Sequence, residues 1–120
     1  MLNLDTHILL GTIPNVLTEH EWAVLREDPN WAISGIVLWE IEMLKARNRI
    51  PHGLEHPVLR TLVRQIQVLP ISVEVCQMLR TLDFHSDRAD EIIAATSLAH
   101  NIPLVTRDAK IRTSKLVRFA

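Results

Sequence analysis

The chain lacks several features that would place it in a well-defined class at once. Its single cysteine, Cys76, excludes an internal disulfide, and its apolar neighbours Val75 and Met78 predict a buried structural thiol. No apolar stretch approaches the length needed to span a membrane. The sequence also lacks the charged start followed by an apolar run that is typical of a secretory signal. We therefore expect a cytoplasmic protein with no membrane partner.

Charge of one sign is also missing, because the formal net charge of the 120 residues is -1. This balance argues against a protein that holds nucleic acid by charge alone, but not against an enzyme that binds phosphates through metal ions. Apolar residues make up 48% and charged residues 22%, which is typical of a folded chain rather than a disordered one. With no repeats or low-complexity tracts, the length predicts one domain over residues 1–120.

Short apolar runs alternate with longer segments of helical period. The predicted strands are residues 1–5, 31–34, 68–71, 104–107 and a last short one at 117–119. The predicted helices are residues 19–27, 36–48, 56–65, 73–82 after an N-cap at Ser72, and 88–100. This alternation predicts an α/β fold of three layers, with helices on both faces of a short, mainly parallel sheet.

Four carboxylates stand where these apolar patterns end or turn inward. Asp5 and Asp108 each close a predicted strand, and ligands of open parallel sheets sit beyond the carboxyl ends of the strands. Either residue could instead serve only as the N-cap of the turn that follows it, and both roles can coexist. In the same way, Asp87 suits the N-cap of the 88–100 helix, which leaves Asp90 on its first turn.

Glu40 is the most informative of the four. Its helical neighbours three and four residues away are all apolar, namely Ile36, Val37, Met43 and Leu44. Glu42 has Lys45 within reach and is predicted to be an ordinary surface carboxylate. A carboxylate on a core-facing stripe is uncommon unless it is paired, so Glu40 either pairs with a buried arginine or has a functional role.

Together, Asp5, Glu40, Asp90 and Asp108 suggest a divalent-metal site. Hard oxygen ligands without a cysteine or histidine cluster favour Mg²⁺, with Mn²⁺ as the alternative, over zinc. The histidines, including His7, have no metal-ligand spacing and are treated as non-ligands.

These residues lie in segments that resemble the four motifs of PIN-domain nucleases. The segments are LDTHILL (residues 4–10), residues 34–44 around LWEI, DRADEIIA (residues 87–94) and PLVTRD (residues 103–108). Their order, their spacing and the total length are similar to those of the small bacterial PIN proteins that act as toxins in VapBC-type toxin–antitoxin pairs. The resemblance covers essentially the whole chain.

The resemblance implies a PIN-like domain that hydrolyses RNA phosphodiesters with the help of hard dications. The family's acidic site falls on Asp5, Glu40, Asp90 and Asp108. Among these, Asp5 and Asp90 are the expected main metal ligands, and Thr6 and Thr106 are supporting hydroxyls. Two departures from the usual pattern are Arg88, where proline is frequent, and Glu91, where arginine is frequent. Glu91 adds negative charge beside the site.

Partners follow from the same resemblance. Contacts to RNA phosphates are expected from a basic final segment, above all from Arg107, Lys110 and Arg112, although an ordinary solvated surface is the favoured explanation of that segment. A cognate antitoxin and a homodimer or higher assembly are also expected. The competing hypothesis is a catalytically silent α/β domain with an interaction or regulatory role. A phosphoacceptor receiver in particular would need an Asp after the 68–71 strand, and none is present.

Overall fold

Four short parallel strands form the centre of the molecule. The computed structural model describes residues 1–120, and its strands are β1 (Leu2–Leu4), β2 (Trp31–Ser34), β3 (Gln67–Leu69) and β4 (Leu104–Val105). The strand order is β3-β2-β1-β4, and every pairing is parallel. The predicted last strand is reduced to a single parallel bridge between Phe119 and Leu104. The α/β prediction with a parallel sheet is confirmed.

Six α-helices surround the sheet. They are α1 (Thr6–Gly11), α2 (Glu19–Glu27), α3 (Gly35–Ala46), α4 (Pro57–Gln65), α5 (Val73–Met78) and α6 (Arg88–His100). Short 3₁₀ turns cover Leu79–Thr81 and Ile111–Thr113. Helices α2 and α6 have the bounds that the sequence predicted, whereas α5 ends earlier and passes into the first 3₁₀ turn. None of the helices is both long and apolar enough to cross a membrane.

Capping residues explain why α2 and α6 begin where they do. Thr18 and Glu21 form a reciprocal capping box at the start of α2. The Asp87 side chain accepts a hydrogen bond of 2.9 Å from the backbone amide of Asp90, which fixes the first turn of α6. At the other end, Asn101 takes the left-handed conformation with φ of 53°, which terminates the helix.

Strand β1 is buried along its whole length because helices cover both faces of the sheet. Leu2, Asn3 and Leu4 are all buried, and Leu4 is completely so. The Asn3 amide donates hydrogen bonds to the Ile93 carbonyl oxygen at 3.1 Å and to the Ser97 hydroxyl at 2.9 Å, which ties β1 to α6. A buried amide that reaches across to a helix in this way fixes the register of α6 on the sheet.

The prediction of a buried Cys76 is wrong. Its thiol is exposed on α5, and only Val75 of that helix is buried. Adjacent residues on a helix point about 100° apart, so an apolar neighbour in sequence does not share its burial.

The order in which the chain adds strands to the sheet reverses between β1 and β4, although all four strands stay parallel. Strands β1, β2 and β3 follow one another toward one edge, and β4 then joins the free side of β1. Such a point leaves a crevice at the carboxyl ends of the two strands, where open α/β sheets bind their ligands. Asp5 and Thr106 are the residues directly after β1 and β4.

Candidate metal centre

Asp5 is held rigidly at the end of β1. It is 3% exposed, one carboxylate oxygen accepts the Thr6 backbone amide at 2.7 Å, and the other accepts the Thr106 hydroxyl at 2.6 Å. The Thr106 oxygen in turn accepts the backbone amide of Asp108 at 3.1 Å. Asp5 is therefore both the N-cap of α1 and the link between the two strand ends, so its predicted capping role is confirmed, while its role as a metal ligand stays a prediction.

Glu40 reaches the same region from α3. Its side chain is half-buried, while Val37 and Ile41 on the same helix are fully buried and Glu42 is exposed, as predicted. The completely buried Thr6 hydroxyl is close enough to lower the pKa of Glu40, but it makes no hydrogen bond of good geometry with any protein atom. The Thr6 hydroxyl therefore remains available to a ligand.

Helix α6 supplies two carboxylates rather than one. The Ser86 hydroxyl donates a hydrogen bond of 2.7 Å to Asp90, which lies on the first turn. One oxygen from each of Glu40, Asp87 and Asp90 lies within 4.8 Å of the others, a spacing that one hard cation can span. Asp87 was predicted only as a helix cap. Asp87 lies three residues before Asp90, and residues at this spacing share one face of a helix. That spacing was the sequence signal that could have placed Asp87 in the site.

Asp108 lies at the mouth of the crevice with a capping role of its own. Its carboxylate accepts the Ile111 backbone amide at 3.0 Å and so starts the last 3₁₀ turn. It also lines one cavity together with Asp5, and its charge raises the pKa of both Asp5 and Asp90. All four predicted acids are thus neighbours, while the tightest group includes Asp87 and omits Asp5 and Asp108.

Burial and mutual repulsion make this cluster difficult to ionise. Desolvation raises the pKa of Asp90 to about 6, and the charges of Asp87, Asp5 and Asp108 add to that effect. Burial also raises the pKa of Asp5 and of Glu40, and in Asp5 the hydrogen bonds from Thr106 and from the Thr6 backbone amide offset the effect only in part. Like charges gathered in a partly dry crevice favour any cation that can enter it.

The cluster forms no salt bridge with a protein cation, although the charge of the nearby His7 lowers the pKa of Asp5 and of Glu40 in part. The ion pairs of the structure join Met1 to Asp28, Arg107 to Glu21, and His85 to Glu91 when that histidine is protonated. A buried arginine partner for Glu40, the competing explanation from sequence, is therefore ruled out. The donor set consists of carboxylate and hydroxyl oxygens, which fits Mg²⁺ or Mn²⁺ chemistry.

Two of the three residues predicted to contact phosphate, Arg107 and Arg112, already bind other groups of the protein. Arg107 binds both carboxylate oxygens of Glu21, at 2.5 and 3.0 Å. Arg112 donates to the Thr106 carbonyl oxygen at 2.9 Å and lies over the Phe119 ring at 4.8 Å. Lys110 is exposed and makes no such contact. Arg107 nevertheless lines the cavity that contains Asp5 and Asp108.

Comparison with known proteins places the chain in a family. The sequence model of the PIN domain matches residues 3–115, which is nearly the whole chain. The chain belongs to the PIN domain family, a family of nucleases. No curated protein matches the sequence at a significant level.

Solved structures share the fold across the full chain. A chain in the structure of VapBC2 from Rickettsia felis bound to a promoter DNA fragment has a TM-score of 0.76 at 18% identity, covering 100% of this chain and 98% of that one. A chain in the structure of DNA-bound VapBC from Salmonella typhimurium has a TM-score of 0.72 at 19% identity, covering 99% of this chain and 96% of that one. A chain in a toxin–antitoxin complex from Klebsiella pneumoniae has a TM-score of 0.68 at 24% identity, covering 92% of this chain and 88% of that one. At these identities the likeness establishes the PIN fold.

Proposed function

We propose that this chain is a metal-dependent endoribonuclease and the toxin of a toxin–antitoxin pair, with residues 1–120 forming one catalytic domain. The observation that supports it most directly is the carboxylate cluster at the β1–β4 crevice, which forms no salt bridge with a protein cation. Carboxylates are held there at a cost in stability, since three of them have raised pKa values. A divalent ion removes that cost.

In this proposal Asp5, Glu40, Asp90 and Asp108 are the catalytic acids, with Asp5 and Asp90 as main metal ligands. Asp87 joins Glu40 and Asp90 because its oxygen lies within 4.8 Å of theirs. A bound Mg²⁺ or Mn²⁺ would supply a water of lowered pKa and stabilise the charge that develops on the phosphate.

The chain's own groups orient the acids and set their proton affinity. The Thr106 hydroxyl and the Thr6 backbone amide each hold one oxygen of Asp5, at 2.6 and 2.7 Å, and so fix the orientation of the carboxylate at the crevice. Ser86 does the same for Asp90 at 2.7 Å. The Thr6 hydroxyl, which is buried without a partner, is available to a ligand beside Glu40. These contacts provide the pre-arranged oxygen donors that a hard cation requires.

The proposed partners are RNA, an antitoxin and a second copy of the chain. The related structures are toxin–antitoxin complexes, which supports an antitoxin that covers the acidic crevice, with an arginine offered to the carboxylates. Lys110 is the most available phosphate contact, because Arg107 and Arg112 already have intramolecular partners.

Cleavage of total cellular RNA with and without Mg²⁺ tests the proposal. We expect Asp5→Asn and Glu40→Gln each to reduce cleavage by at least about 100-fold, since loss of even a group that only supports a metal ligand costs about 10- to 100-fold. Glu42→Gln is the matched control, because Glu42 lies on the same helix with its side chain exposed. Equal cleavage by the control and the Glu40 variant, or cleavage unaffected by chelation, would contradict the metal-dependent mechanism, and no cleavage by the unmodified chain would favour the silent interaction domain instead.

A further inference from the structure

One cavity of the molecule extends from the acidic crevice into an apolar groove. Its volume is about 620 Å³, which lies within the range of about 300–1,000 Å³ typical of small-ligand sites. Asp5 and Asp108 line one part of it. Apolar side chains from the α1 region, from the loop between α3 and α4, and from α4 form much of its wall, including Leu10, Ile13, Ile50 and Leu59. These apolar residues have no role in holding the metal.

Three imidazoles, those of His7, His52 and His56, also line the groove and give it a polar, aromatic side. The rings of His52 and His56 lie 4.4 Å apart between centroids at an angle of 42°. The Nδ1 atom of His56 is buried and has no hydrogen-bond partner. His56 is also the N-cap residue of α4, but its side chain makes no capping hydrogen bond. A buried polar atom without a partner costs stability, so this nitrogen is suited to an external ligand.

We infer that the groove is a nucleobase subsite, in which His56 reads the base next to the phosphodiester that is cut. The inference rests on the proposed ribonuclease function. Groove and acidic cluster share Asp5 and Asp108, so a base in the groove has its own phosphate beside the cluster. A base presents a flat face to imidazole rings and apolar walls, and a polar edge to a ring nitrogen, which is how proteins recognise unstacked RNA bases.

An apolar peptide side chain fits this groove less well than a base does. It would fill the apolar wall but leave the buried His56 nitrogen without a partner. Arg107 lines the same cavity, and an exchange of its Glu21 partner for phosphate would place a cation beside the path of the phosphate backbone. The combination of apolar wall, imidazole edge and adjacent cation matches one nucleotide.

Titration of the whole chain with the dinucleotides ApA, GpG, CpC and UpU tests the subsite without requiring cleavage. We expect the ring signals of His52 and His56 in NMR spectra to shift, those of the exposed His100 to stay constant, and one base to bind best. His56→Ala should weaken that binding by about 5- to 100-fold. His56→Phe keeps a flat face without the nitrogen, so it should retain binding and lose the preference among bases. His100→Ala is the matched control.

Mapping of the cut sites separates failure of this inference from failure of the proposed function. If the chain cuts RNA and His56→Ala leaves the base preference unchanged, the subsite is wrong and the nuclease stands. If no RNA is cut but the dinucleotides shift the two histidine signals, the subsite stands and the nuclease fails. If no dinucleotide shifts them, or if only an apolar peptide does, the groove is not a base site. Unchanged melting temperatures of the variants would exclude misfolding as the cause.

Discussion

Thr106 is the single side chain that joins the two strand ends of the site. Its hydroxyl donates to Asp5 at 2.6 Å and accepts from the Asp108 amide at 3.1 Å. Thr106→Val removes both contacts while keeping the shape, so we expect metal affinity to fall by about 10- to 100-fold. Thr106→Ser keeps the hydroxyl and should stay close to the unmodified chain. Calorimetric titration with Mn²⁺ measures both, and equal affinities for the two variants would contradict the role of the hydroxyl.

Asp90 determines how stability depends on pH when metal is removed. Burial raises its pKa from 3.8 to about 6, so between these values the folded chain binds more protons than the unfolded one. Its contribution to stability is therefore complete below about pH 4 and is lost as the pH rises through about 6. The shift alone corresponds to about 3 kcal/mol, and we expect about 1 kcal/mol because the carboxyl is half-exposed to water.

Thermal unfolding in a chelator from pH 4.5 to 7.5 measures this effect. The melting temperature should fall as the pH rises, and Asp90→Asn should flatten the profile. Saturating Mn²⁺ should reverse the trend, because protons compete with the metal for the same oxygens. A metal-free melting temperature that rises steadily across this range would mean that the acids are not mutually destabilising.

The start of helix α6 combines two functions that a substitution can separate. Asp87 caps the helix and also contributes an oxygen to the group with Glu40 and Asp90. Asp87→Ser preserves a good N-cap and removes the charge. We expect little change in the melting temperature of the metal-free chain, several-fold weaker Mn²⁺ binding, and a lower pKa for Asp90, because the charge of Asp87 helps to raise it. Asp87→Ala should lose the cap as well, at about 1 kcal/mol.

The elements that the sequence predicted best are those with explicit end signals. Helix α2 has its capping box and α6 has Asp87 and Asn101, so their bounds match those observed. Strand β3 begins one residue earlier than predicted, because period and propensity do not fix where a parallel ladder starts. The end of α5 had no stop signal before Leu82, and the chain tightens there into a 3₁₀ turn.

The candidate site was predictable only where residues follow strands. Asp5 and Asp108 could be placed together because the ends of parallel strands meet at one edge of the sheet. The meeting of Glu40 with Asp87 depends on how α3 packs against α6, which no local pattern encodes. The groove is also invisible in sequence, since His52 and His56 face residues of α1 that are more than forty positions away.

The molecule as a whole leaves one edge of its sheet open. β3 is an outermost strand, and Val68, Ile71 and Val73, which we call the edge surface, are 38%, 46% and 69% exposed. An open strand edge flanked by exposed apolar side chains favours pairing with another chain. The expected homodimer therefore has a candidate surface, on the opposite side of the sheet from β4.

Substitution of the edge surface tests this assignment. We expect the double variant Ile71→Ser and Val73→Ser to weaken self-association by about tenfold or more, because each apolar side chain removed from an interface costs about 1 kcal/mol or more. Leu116→Ser is the matched control, since Leu116 is 50% exposed and follows β4 in the chain. Sedimentation equilibrium over a concentration series measures the dissociation constants. Because the edge surface lies away from the β1–β4 crevice, Mn²⁺ affinity should be equal in all three proteins, and a chain that stays monomeric at every concentration would show that this edge is covered by a different partner.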